Sequence, residues 1–465
     1  MEDIVNTLRK SFNTDTTKSY EWRKTQLLAI EKLLDENKEQ FVEALKLDLN
    51  KPNYETIVYE IGTVKSSINF CLNHLKTYIE PQKVKPIIQA RAVYSTYVQY
   101  QPFGVCLIIG AWNYPIYLTL TPLIGAISSG NCAILKPSEM APKIAELLEN
   151  LFPKYLDTNF IRVVNGGVTE TTQLLEQKFD HIFYTGNGTV GRIVMQAAAK
   201  HMTPVVLECG GKSPVYIDET ADLLVTARRI LWAKFTNSGQ TCVAPDYVLC
   251  TKETQENIIP FLKQILQEFY GGSPKDSNSF ARIINERHFD RIIKLIDETK
   301  VVVGGISDRN EKYIAPTIMF NVTVDDKVMN EEIFGPVLPF ITITDRNEAI
   351  KFINSRDKPL ALYVFSNKEE VYNDFKNRTS SGSFCYNDLM VQLALECLPF
   401  GGVGESGLGR YHGIYSFETF SHQRAILKGG FFADSLSSFR YPPYSDSNIS
   451  RGLLATSEFK SCSIL

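Results

Sequence analysis

Histidine is scarce in this chain, six in 465 residues, and none falls in an HExxH pattern. Cysteine pairs spaced CxxC are missing too. Zinc centres are built from such spacings, so neither a structural nor a catalytic metal site is expected. An excess of one charge is also lacking. Lys and Arg number 49 against 52 Asp and Glu, a net −3, and the pI is near 6.2. Nothing in that balance attracts nucleic acid. The start, MEDIVNTLRKSFN, is polar and acidic and does not read as a secretory signal. One membrane-like run exists, GVCLIIGAWNYPIYLTLTPLIGAI (104–127), but Asn113, Pro115 and Pro122 interrupt it. A buried strand, a turn and a helix explain it more simply than a membrane span.

What is present reads as an ordinary soluble protein of more than one domain. Apolar residues make up 44% and charged residues 22%. The length exceeds what one core usually serves. Nine cysteines are scattered without even spacing, which fits a reducing compartment better than a disulfide framework. Between Trp22 and Leu47 apolar residues recur at helical spacing. The alternation in AVYSTYVQYQPFG (92–104) predicts exposed strands.

Short all-apolar segments follow: VCLIIG (105–110), CAILKP (132–137), FIRVVNG (160–166) and HIFYTG (181–186). Helical patterns such as KIAELLENLF (143–152) separate them. That rhythm predicts a doubly wound α/β domain with strands buried on both faces. After Glu208 a second α/β domain is expected from SPVYID (213–218), YVLCT (247–251) and ALYVFS (361–366). Beyond Gly430 the composition turns to Ser, Tyr and Pro and suits a surface extension.

GNGTVG (186–191) matches G-x-G-x-x-G, follows the strand HIFYT and opens a helical pattern. In that context the motif brings backbone close to a phosphate at a helix start. A second match, GVGESG (402–407), has no strand before it and reads as a Gly-rich loop needing positive φ. The dinucleotide fingerprint would give Glu208 to a ribose, whereas KPSE (136–139) offers Lys136 and Glu139 instead. The latter segment reads equally well as a plain helix start, with Ser138 capping and Glu139 favoured by the helix dipole.

Cys242 lies in FTNSGQTCVAPDY (235–247), and Glu208 lies in PVVLECGGKSP (204–214), just after an apolar strand. A thiol on a Gly-containing loop and a carboxylate at a strand end are what acyl-forming thiol chemistry requires. The thiolate attacks a carbonyl, and the carboxylate later draws a proton from water. A lone cysteine is more often an inert core residue, so the surroundings must decide. The other cysteines, Cys71, Cys106, Cys132, Cys209, Cys250, Cys385 and Cys397, read as structural.

Taken together and in order, GAWNYP (110–115), AILKPSE (133–139), FYTGNGTVG (183–191), LECGGKSP (207–214), NSGQTCVAPDY (237–247), EEIFGPV (331–337) and LPFGGVGESGLGRYHG (398–413) resemble the aldehyde dehydrogenase superfamily. The resemblance spans residues 1–428, and SFETFSH (416–422) is most similar to its class 3 branch. It implies NAD- or NADP-dependent oxidation of medium- to long-chain or aromatic aldehydes to carboxylic acids. It implies Cys242 as nucleophile, Glu208 as the base for deacylation and Asn113 as an oxyanion donor. Lys136 and Glu139 would hold the adenosine ribose, Gly186 and Gly191 would shape the pyrophosphate turn, and Glu332 with Phe334 would position the nicotinamide. The extra Gly188 is expected to loosen that turn.

The implied architecture is a Rossmann-type NAD-binding domain over 1–83 and 104–208 and an α/β catalytic domain over 209–418. A bridging β element over 84–103 and 419–428 pairs relatives as homodimers, and 429–465 forms a tail. Two rivals stand beside this reading. One is a CoA-acylating dehydrogenase, which Glu208 argues against. The other is a non-catalytic scaffold of the same fold.

The sequence ends Cys462-Ser463-Ile464-Leu465, a C-a-a-X form whose final Leu favours geranylgeranylation of Cys462. That predicts a cytoplasmic protein held at the cytoplasmic face of membranes. A single prenyl chain anchors only marginally, and upstream basic help is thin.

Overall fold

The computed structural model describes residues 1–84, 94–431 and 434–456. Segments that are apolar throughout become parallel strands. Val105–Ile109, Cys132–Lys136 and His181–Thr185 are buried at every position. Helices cover both faces of such a sheet, so an alternating pattern would leave polar groups in the core.

The first sheet has six strands. Their spatial order is Gly407–Leu408, Val205–Glu208, His181–Thr185, Val105–Ile109, Cys132–Lys136 and Ile161–Val163. Five run parallel, and Gly407–Leu408 closes one edge antiparallel to Val205–Glu208. The chain enters at Val105–Ile109, steps outward to Ile161–Val163, then crosses to His181–Thr185 on the other side. That reversal creates a crevice beyond the carboxyl ends of Val105–Ile109 and His181–Thr185, where doubly wound sheets bind ligands.

The second sheet has seven strands, in the order Val301–Val303, Thr317–Val322, Val337–Thr342, Tyr247–Cys250, Pro214–Ile217, Ala361–Phe365 and Ser383–Tyr386. Only Val301–Val303 runs antiparallel. A separate three-stranded sheet pairs Tyr94–Pro102 with Gln82–Lys83 on one side and with Ser421–Gly429 on the other. The second of these pairings runs without a break from Ser421 opposite Pro102 to Gly429 opposite Tyr94.

The doubly wound expectation thus holds. The apolar run 104–127 resolves into the strand Val105–Ile109, a turn, and the helix Tyr117–Ser129, all thirteen of whose residues are buried. Among the described residues no helix is long and apolar enough to cross a membrane. The helical stretch from Trp22 is two helices, Tyr20–Glu36 and Lys38–Leu49. Asn37 breaks it at φ −120°, and its amide donates to Leu33 O and to Tyr155 Oη, each at 2.9 Å. The apolar spacing runs through the break because both helices bury residues in one core.

The tail carries a short 3-10 turn, Ser435–Arg440, and a helix, Asp446–Thr456. Every cysteine among the described residues is free. Cys462 and the first part of the expected bridging segment, 85–93, lie outside the described residues.

Candidate active site

Among the described residues, Cys242 is the one cysteine that lines both of two adjoining cavities. One cavity, of about 350 Å³, runs along the crevice of the first sheet past Trp112, Thr185, Gly186, Glu208 and Glu332. The other, of about 220 Å³, is walled by Tyr59, Tyr114, Tyr117, Trp232, Met390 and Leu393 among others. The two share Asn113, Leu118, Cys242, Phe400 and Tyr411. A thiol at that junction is open to a polar chamber on one side and an apolar one on the other.

The loop that carries the thiol is strained and tied down. Asn237 and Ser238 adopt φ of 51° and 54°, and Gly239 follows at φ 75°. Left-handed conformations in non-glycine residues persist only where surroundings enforce them. Here Asn237 N–H donates to Glu55 Oε2 at 2.9 Å, and Asn237 Nδ2 donates to Asn113 O at 2.9 Å. The Gln240 side chain spans between Arg282 O, which accepts at 2.9 Å, and the Ile284 N–H, which donates at 3.0 Å. A side chain at Gly239 would overlap the Gly335 carbonyl.

Asn113 sits on the turn after Val105–Ile109 and is buried. Its Nδ2 donates to Gln240 O at 3.0 Å. An amide nitrogen has two N–H groups, so one donor remains for the cavity. Its main-chain carbonyl accepts from Lys51 Nζ at 2.8 Å. Lys51 also donates to Glu60 and lies 4.0 Å from the centre of the Tyr114 ring. Glu60 in turn accepts from Ile116 N at 2.8 Å and Tyr117 N at 3.3 Å. Neither Lys51 nor Glu60 has any exposed side-chain surface.

Burial dominates the electrostatics. It pushes the Cys242 thiol well up, with Glu332 and Glu208 adding to the rise. Burial likewise raises the Glu208 carboxyl well above the usual range, and both its oxygens lack a hydrogen-bond partner. Glu332 is pushed up to about 8 by burial and then by Asp246, against the pull of Gly211 N–H, Lys212 and Arg291. Burial therefore favours the neutral form of both the thiol and the Glu208 carboxyl.

The 350 Å³ cavity suits a dinucleotide. The helix Gly188–Ala199 begins at its edge, and Asn187 caps it by accepting from Val190 N at 3.0 Å. Gly188 is thus the first helical residue. Gly191 lets the helix pack closely, since a Cβ there would meet Cys209 Sγ at 3.3 Å. Gly186 lines the cavity beside Asn187. The buried Thr185 hydroxyl, the Glu208 carboxyl and both His288 ring nitrogens are unpartnered polar groups among the lining residues.

Phe334 takes φ 48° and meets Trp112 edge-on at 5.3 Å. Lys136 ends its strand and donates to Glu139 at 2.8 Å and to Pro137 O at 3.0 Å. Glu139 does not start a helix. The helix begins at Pro142, and Ser138 Oγ accepts only from Met140 N in the turn before it. A proline already supplies a first residue with no N–H to cap, so the turn is free to present Lys136 and Glu139 together. In GVGESG, Gly404 at φ 67° and Gly407 at φ 148° make the expected loop.

A doubly wound sheet with a capped helix start at its switch point is an architecture that binds nucleotides there. A family model described as the aldehyde dehydrogenase family matches residues 1–426. The chain is similar to aldehyde dehydrogenase family 3 member B1 of Rattus norvegicus, 48% identical over 462 residues, 99% of this chain and 98% of the rat protein. It is similar to the Mus musculus protein named aldehyde dehydrogenase, dimeric NADP-preferring, 48% identical over 443 residues, 95% of this chain and 98% of that protein. The substrate-bound Staphylococcus aureus AldH structure matches with TM-score 0.95 and 41% identity, covering 98% of this chain and 99% of that one. The chain belongs to the aldehyde dehydrogenase family. It is an aldehyde-oxidising enzyme that works with NAD or NADP.

Several residues of this centre escape a reading by motif. Tyr411 and Phe400 lie inside a quoted motif but are chosen by packing, and both line the two cavities. Lys51, in the connection after Lys38–Leu49, and Glu55 and Glu60, on the helical stretch that follows, carry no local catalytic signal in sequence.

The Lys51–Glu60 pair generates a stability prediction. Lys51→Met should leave a buried carboxylate without its counter-charge and cost about 3–5 kcal/mol, read as a lowered urea midpoint. Lys51→Met combined with Glu60→Leu should recover part of that loss. A single variant as stable as the parent would refute the network's role.

Proposed function

We propose that Cys242 is the nucleophile of this aldehyde dehydrogenase and that Glu208 releases its acyl product. The observation that carries the reading is the thiol at the junction of an apolar cavity and the dinucleotide-type crevice. The thiolate of Cys242 adds to the aldehyde carbon and gives a tetrahedral thiohemiacetal. Its oxyanion is held by the free N–H of Asn113 and by the Cys242 backbone N–H. One such donor is typically worth about 3–4 kcal/mol in the transition state. The nicotinamide cofactor, when bound, supplies the acceptor for the hydride that leaves the former aldehyde carbon. What remains on Cys242 is a thioester. Glu208 takes a proton from water, the hydroxide oxygen attacks the thioester carbon, and the Cys242 thiolate departs, releasing the carboxylic acid.

The remaining assignments follow from position. Lys136 and Glu139 would take the ribose hydroxyls, Gly186 and Gly191 would admit the pyrophosphate at the Gly188–Ala199 helix start, and Glu332 with Phe334 would orient the nicotinamide side. The residues of the first sheet, 1–83 and 104–208, make the NAD-binding part, and 209–418 make the catalytic part. The apolar wall of the smaller cavity supports medium- to long-chain aliphatic or aromatic aldehydes as substrates. The name of the mouse relative supports use of NADP. That name and the exposed outer face of Ser421–Gly429 also support a homodimer built through the 84–103 and 419–428 element. Geranylgeranylation of Cys462 would hold the enzyme at a cytoplasmic membrane face, where lipid-derived aldehydes arise.

Three measurements test these roles. Cys242→Ala should abolish NADH formation from decanal while cofactor binding, followed by fluorescence quenching, persists; undiminished turnover would sink the assignment. Because burial holds the Glu208 carboxyl above its ordinary range, it is a base only once deprotonated, so deacylation-limited kcat should rise with pH through a limb that lies above the usual carboxylate range. Glu208→Gln should keep the burst of NADH, slow the steady state by about 10²–10⁴-fold as expected for a lost general base, and flatten that pH limb. Absence of a burst would contradict the role. Cys462→Ser should move the protein from the membrane fraction to the supernatant without changing its activity. Parent protein found wholly in the supernatant and unlipidated would refute the anchor.

A further inference from the structure

The apolar cavity at Cys242 stops against Tyr59 and Trp232, and a second hollow of about 200 Å³ starts on their far side. Those two are the only residues that line both spaces. Trp232 Nε1 donates to Tyr59 Oη at 3.1 Å, and the two rings meet edge-on with centres 6.4 Å apart. Both side chains are half-buried, unlike the core aromatics around them. Tyr59 sits on Thr56–Gly62, a π-helical stretch inserted in the helix that ends at Ile79. Such widened turns recur at functional sites because they displace one side chain from the helical register.

The far hollow is aromatic. Tyr54, Phe269 and Tyr270 face it, and Ser279 stands exposed at its mouth. Among its buried polar groups the Thr236 hydroxyl and one oxygen of Glu55 are already engaged. Thr236 Oγ1 donates to Trp232 O at 2.8 Å, and Glu55 Oε2 accepts from Asn237 N at 2.9 Å. What the hollow offers a ligand is therefore ring surface.

We infer that this outer chamber is a second subsite for the aldehyde, that it takes the methyl-terminal end of a long aliphatic chain, and that the Tyr59–Trp232 pair is the partition such a chain displaces. The inference rests on the smaller cavity being the aldehyde site. Short aldehydes fit in front of the pair and leave its hydrogen bond intact. A longer chain opens it and exchanges one ring contact for burial of methylenes against Phe269 and Tyr270. The pair thus sets the chain length at which binding changes from one chamber to two.

The test is the ratio of kcat/KM for hexadecanal to that for hexanal, in the parent and two variants. Trp232→Ala merges the chambers and should raise the ratio about tenfold or more, whereas Phe269→Trp fills only the outer chamber and should lower it about tenfold, each being the scale of a methylene or two gained or lost in an apolar pocket. Circular dichroism and the urea midpoint report folding in both variants. An unchanged ratio in Phe269→Trp overturns the second subsite, and an unchanged ratio in Trp232→Ala overturns the partition. Parent enzyme inactive with both aldehydes would defeat the assignment of the smaller cavity and this inference with it.

Discussion

An ammonium group with no exposed surface holds this site together. Removing a charge from water is costly unless every donor it carries finds a partner. Lys51 finds three: the Glu60 carboxylate, the Asn113 carbonyl and the face of Tyr114. Each belongs to a different level of the structure. Glu60 lies on the π-helical stretch, and Asn113 lies on the turn that leaves the first sheet. The same Asn113 carbonyl accepts from Asn237, on the thiol loop that precedes a strand of the second sheet. The strained backbone at Asn237 and Ser238 is thereby fixed to a residue more than a hundred positions earlier. Desolvation makes this arrangement all-or-none, since a partial set of partners would leave a buried charge exposed to none.

The same dryness governs the reacting groups. Cys242, Glu208 and Glu332 share a cavity in which burial raises all three. Like charges in a low-dielectric space cannot coexist cheaply, so burial and mutual repulsion both favour the neutral forms. Glu208 is the extreme member, with neither oxygen bonded. A carboxyl left without partners in a folded protein departs from the usual rule that buried polar groups are satisfied. Such a group is poorly stabilised as an anion, which makes it a strong base for a proton on water once it has ionised. Stability is surrendered there for basicity.

Much of the fold was legible because its strands are short, apolar and separated by helical patterns, a combination that only a covered parallel sheet satisfies. The helix break at Asn37 was not, because apolar spacing reports which face is buried and not whether the backbone is continuous. In the site, the two residues proposed to carry the chemistry stood out by type and context, a thiol after a glycine turn and a carboxyl after an apolar strand, and the fold brings both to one cavity. Their supports did not. Lys51 and Glu60 look like ordinary helix-surface charges in sequence, and only the tertiary fold removes them from water. Glu139 was misplaced for a local reason. Ser and Glu before a helical pattern look like a cap, but Pro142 already provides the helix start.

The junction at Cys242 finally constrains which chemistry the centre can perform. A carbon bound to the thiol must give up its hydride on one side while its chain extends on another, because one face cannot serve both. The two cavities meet that demand separately. The crevice side is lined by carboxyls, a histidine and the capped helix start, and the chain side by rings and aliphatic groups. Phe400 and Tyr411 stand in the wall of both, so they set how far the two spaces can approach each other. Glu208 lines the crevice side alone, so a base role for it in hydrolysis would act from the same space that receives the hydride, and oxidation and hydrolysis would follow in order at one sulfur.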